Sequence, residues 1–110
     1  MSGVELINQL NDLSVKLRES VSYMRRAGEN YARAQNAYKI AVNQEFLQLR
    51  AEGTPVTMIS KIVAGQPEVA PKMLERDIAE TLYKTAQENI QAIKLQMRIL
   101  ENQIDREYRG

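Results

Sequence analysis

The chain contains no cysteine and no histidine. Disulfide scaffolds, thiol nucleophiles, histidine general bases and thiolate or imidazole zinc sites therefore lie outside its chemistry. Proline occurs only at positions 55, 67 and 71, so the long stretches on either side carry no strong helix breaker. An excess of one charge sign is missing too. Fifteen Lys and Arg face fourteen Asp and Glu, a net +1 at pH 7, and no global field argues for nucleic acid or an anionic membrane. There is no run of about eighteen apolar residues, and MSGVELINQLNDLSVK has no basic segment leading into an apolar one. These absences give the expectation of a cytoplasmic protein with no membrane partner. At 110 residues, 44% hydrophobic and 26% charged, the chain fits one soluble domain.

What is present is helical periodicity. From about Val4 to Glu52 the only glycine is Gly28, and two seven-residue series run side by side. One is Leu10, Leu17, Met24, Tyr31 and Tyr38; the other is Leu6, Leu13, Ser20, Ala27, Ala34 and Ala41. A sustained period of seven makes an a/d-like seam that supercoils against a partner helix. Ile7, Val21, Val42 and Leu49 broaden it on one flank, as suits a bundle. Gly28 costs roughly 1 kcal/mol relative to Ala in a helix interior, and a close helix crossing or a modest kink would account for it. A second pair of series, Ala79, Ala86, Ile93, Leu100 and Tyr83, Ile90, Met97, Ile104, predicts another helix reaching about Tyr108. At ~1.5 Å per residue the two helices would measure roughly 70 Å and 60 Å, a match that favours antiparallel pairing.

The stretch RAEGTPVTMISKIVAGQPEVAPKMLER joins them. Gly53 suits a left-handed helix end, Thr54 an N-cap and Pro55 a first helical position. Val56, Ile59, Ile62 and Val63 keep one apolar face over a short helix, about 55–64, that Gly65 is placed to stop. The last helix starts between Pro67 and Pro71. Its pattern does not suit a DNA-reading helix-turn-helix. Lys61 stands where a small residue is wanted, Gln66 follows the glycine, and Pro71 takes a core position of the recognition helix.

Two helices cannot bury seams of about three positions per heptad. The expectation is a homo-oligomeric bundle with Leu10, Leu13, Leu17, Met24, Ile93, Met97, Leu100 and Ile104 as candidate contacts. Met58, Ile59 and Ile62 at the bend either cap the hairpin or form a protein-partner patch.

Arg18, Arg25 and Lys39 share one seven-residue series, and Arg26 and Arg33 the next. Such a stripe can contact phosphates, although Glu19 and Glu29 interrupt it and exposed helix charges ordinarily serve solvation. Tyr23, Tyr31 and Tyr38 could stack on bases, but Tyr31 and Tyr38 lie in the seam. The carboxylates Glu75, Asp77 and Glu80, and Glu101, Asp105 and Glu107, lack the Glu-x-x-His pattern of helical di-metal sites. No glycine-rich phosphate loop is present. The chain is thus read as a non-enzyme with no cofactor, no metal and no small-molecule substrate.

The turn RAEGTPVT, the segments RDIAE and LYK, and an ending with RILE, QI and REY resemble small helical proteins of tailed phages and prophages of Gram-positive bacteria. The resemblance covers mainly residues 48–108. It implies a phage origin, a bacterial host cytoplasm and a setting near replication and recombination, and it assigns no functional residue.

Together these readings predict an all-α, coiled-coil-like antiparallel helical hairpin with a short helix at the bend. It forms a single domain over residues 1–110 (helices about 4–52, 55–64 and 68–108) and assembles into a bundle. Its expected role is that of a phage accessory protein acting through protein contacts or weak nucleic-acid contacts. The alternative is a structural or inhibitory module, such as an antagonist of a host factor or defence system, that binds no nucleic acid.

Overall fold

A computed structural model of the chain describes residues 2–109. Among these residues the fold is all-α: α1 spans Gly3–Ala51, α2 Val56–Ile62 and α3 Ala70–Arg109, with one 3-10 turn at Val63–Gly65. The long first and third helices run antiparallel, with the short helix between them, as the paired series predict.

The helix ends follow local chemistry. Ser2 Oγ accepts from the Glu5 N–H at 3.2 Å, while the Ser2 N–H approaches Glu5 Oε2 at 3.4 Å, the reciprocal arrangement of a capping box. At the other end of α1, Gly53 takes φ +90. The Thr54 N–H donates to Leu49 O and the Gly53 N–H to Arg50 O, both at 3.0 Å, the pair of bonds that closes a Schellman motif. One local expectation is corrected. Pro55, not Thr54, is the cap of α2, in extended backbone and without a side-chain cap. Pro55 O accepts from the N–H groups of both Met58 and Ile59, which needs no capping hydroxyl. Helical structure ends at Gly65 as expected, though without a left-handed turn, since Gly53 is the only described residue with positive φ. The helix instead tightens into the 3-10 turn, and Val63 O accepts from the Gln66 N–H at 3.2 Å.

The chain divides into two compact units, both of which draw on α1 and α3. Unit 1 pairs α1 as far as Arg26 with α3 from Lys84 onward. Its antiparallel register is marked by Asn89, whose Nδ2 donates to Ser20 Oγ at 3.3 Å, and by Tyr108, which lies against Gly3. Leu6, Ala86, Ile90 and Ile93 form its buried core. Unit 2 is Ala27–Tyr83, where α2 adds a third wall and Ile59 and Val69 are fully buried. Ala27 and Leu49 complete that core, together with one carboxylate, Glu45.

Candidate interaction faces

In unit 1 the seam residues Leu10, Leu13, Leu17, Met24, Met97, Leu100 and Ile104 are only half-buried. One helix packed on one other leaves part of every such side chain in water. A groove of about 520 Å³ opens here, lined by Leu13, Ile99 and Leu100 with Gln9, Asp12, Lys16 and Gln96. Ile99 is 49% exposed, and Leu95, one turn before it, is 54% exposed. Neither Asp12 nor Lys16 makes an ion pair with another described residue. Ile93, an expected contact, is 2% exposed and has no surface to offer, because it is the residue on which the two helices close.

The basic residues fall in both units. Arg18, Arg25 and Arg26 of unit 1 are exposed, as are Arg33 and Lys39 of unit 2. The guanidinium of Arg26 lies 6.0 Å from the ring centre of exposed Tyr23, at the outer limit of a cation–π contact. The other two tyrosines considered for base stacking are packed within unit 2: Tyr31 lies 6.1 Å from Tyr83, centroid to centroid, and Tyr38 carries the Arg76 guanidinium 4.3 Å from its ring centre. Arg76 also bonds Asp77 through Nε and Nη2, at 3.0 and 2.8 Å, and this hydrogen bond raises its pKa above the ordinary guanidinium value. The arrangement ties Tyr38 to α3.

At the bend, Ile59 is fully buried whereas Met58 is 50% exposed and Ile62 half-buried. Of the three residues of the expected patch, Ile59 caps the hairpin and Met58 faces outward. The acidic residues of α3 are dispersed: Glu75 meets Lys72 at 3.7 Å, and Asp105 meets Arg109 at 3.2 Å. Among the described residues no group of three metal-capable side chains converges, and no helix is long and apolar enough to cross a membrane.

Two features escaped the sequence reading. Ile99 lies beside the seam series instead of on it, and only the groove brings it together with Leu13. Glu45 is the seventh residue after Tyr38 and so continues the first seam series with a carboxylate. That substitution at a core position was visible in the sequence. Comparison with family models, curated proteins and solved structures found no match to the chain.

Proposed function

We propose that this chain is a non-enzymatic helical binding protein that works as an assembly of its own copies, with the unit 1 groove as the self-association face. The observation that carries the reading is the company of apolar Leu13, Ile99 and Leu100 with two charges of opposite sign, Asp12 and Lys16, unpaired among the described residues, in one groove. A two-fold interface presents the same patch from both sides, so that residue i meets j and j meets i. Asp12 then meets Lys16 of the partner subunit, and Lys16 meets Asp12 of the partner subunit, while the apolar floor is covered.

The resemblance of residues 48–108 to small phage proteins supports a setting in replication or recombination, as an accessory factor. Exposed Arg18, Arg25, Arg26, Arg33 and Lys39 are the groups such a factor would turn toward nucleic acid. A second reading, a module that occludes a partner's surface without touching nucleic acid, is favoured by the outward Val56 and Met58 of α2.

The deciding experiment is light-scattering mass at two protein concentrations, with and without a single-stranded oligonucleotide. A dimer or larger species is expected. A monomer at both concentrations overturns the assembly reading, and a mass indifferent to the oligonucleotide selects the occluding module.

A further inference from the structure

Glu45 occupies a core position of α1, is 9% exposed and lines a groove of about 660 Å³ in unit 2. It makes no hydrogen bond or ion pair with another described residue. Among the described residues, however, no sealed side-chain oxygen or nitrogen is left without a partner. Each carboxylate oxygen of Glu45 therefore keeps some access to solvent, through the groove that it lines. Most of the residue is buried, yet its carboxylate opens to the groove with no counter-ion among the described residues, so a cation that enters there meets an unpaired anion.

The rest of the lining narrows the cation. Ile40, Ala41 and Pro67 supply an apolar wall, and Glu68 is the only other carboxylate. Hard divalent metals take several oxygen ligands, and no group of three metal-capable side chains exists among the described residues. A primary ammonium on a methylene stem uses both parts of the groove, its head bonding carboxylate oxygens and its stem lying on the apolar wall. The volume lies within the roughly 300–1,000 Å³ of small-ligand sites. Lys72 also lines the groove, but its ammonium is 3.7 Å from Glu75 on its own helix.

We infer that this groove binds a primary alkylammonium group, with Glu45 as its counter-ion. Two sources share that chemistry, a free aliphatic amine and the side chain of a lysine in a polypeptide.

The test is an NMR titration of the full, isotopically labelled chain with three probes: pentylamine, Nα-acetyl-lysine methylamide and neutral 1-pentanol. The amine is expected to give saturable shifts at Ile40, Ala41 and Glu68, and 1-pentanol none. Glu45→Gln, close to isosteric, should weaken amine binding by roughly tenfold or more, the effect of losing a charge-assisted hydrogen bond. Glu68→Gln provides a second variant at the groove's exposed rim, where a smaller loss is expected. Binding of capped lysine as well as pentylamine assigns the site to a polypeptide partner, and binding of pentylamine alone assigns it to a free amine. Absence of saturable shifts with both amines, an equal response to 1-pentanol, or undiminished binding in Glu45→Gln overturns the proposal.

Discussion

The ring of Tyr83 covers Gly28 so closely that a Cβ at position 28 would lie 3.0 Å from Tyr83 Cε1. Gly28 is helical and has no positive φ, so close approach, not backbone conformation, is what glycine supplies here. Gly28→Leu should destabilise the fold by about 1–3 kcal/mol through overpacking, measured by thermal unfolding. In a Tyr83→Ala background, Gly28→Ala should instead stabilise by about 1 kcal/mol, the helix-propensity gain. A double-mutant cycle with no coupling would remove the ring as the reason for the glycine.

The two cores differ in how fully they are closed. Ile59 is sealed where α2 folds over unit 2, and Ile59→Ala should cost about 2–5 kcal/mol in denaturant unfolding. Leu47, mostly exposed on α1, should change stability by less than about 0.5 kcal/mol when cut to Ala. Equal costs at the two positions would mean that burial is wrongly placed.

Reversing one charge in the unit 1 groove tests its self-complementarity. Asp12→Lys, or Lys16→Asp, sets like charges against each other across a two-fold interface and should weaken self-association in sedimentation equilibrium. The double exchange should restore it. A double variant no better than either single one would place these residues outside the interface.

For nucleic acid, Arg25→Glu with Arg33→Glu should weaken any single-stranded complex and flatten the dependence of log K on log salt. Fluorescence anisotropy at several salt concentrations reads both effects. Wild-type protein that fails to bind even at low salt would end that branch of the proposal.

Glu45 should trade stability for binding. Glu45→Met, which places an apolar side chain at a seam position, should raise unfolding stability by on the order of 1 kcal/mol while abolishing the ammonium response. A loss of stability would show that the carboxylate serves the fold itself.

Much of the architecture was legible because its determinants are local. Sustained seven-residue spacing, three prolines gathered at one bend and Gly53 after a long helical run act on the chain within a few residues of themselves. They give α1, α2 and α3 close to the observed limits and the antiparallel hairpin that joins them. The candidate faces were legible only in part, since spacing sorts residues onto faces and does not say how deeply a face is covered. Ile93 and Met97 belong to the same predicted seam, yet one is buried and the other half-exposed. Ile59 and Met58 are neighbours in sequence with opposite fates.

By itself, then, the sequence determined that this protein is a helical hairpin with an interrupted bend and no thiol or imidazole chemistry. Only the tertiary structure decided that Tyr83 rests on Gly28, that Leu13 shares a groove with Ile99, and that Glu45 lines a groove with no partner among the described residues. The reason is physical. Helix period and turn chemistry are set by neighbours along the chain, whereas close approach, grooves and desolvation depend on which distant residues the fold brings against them.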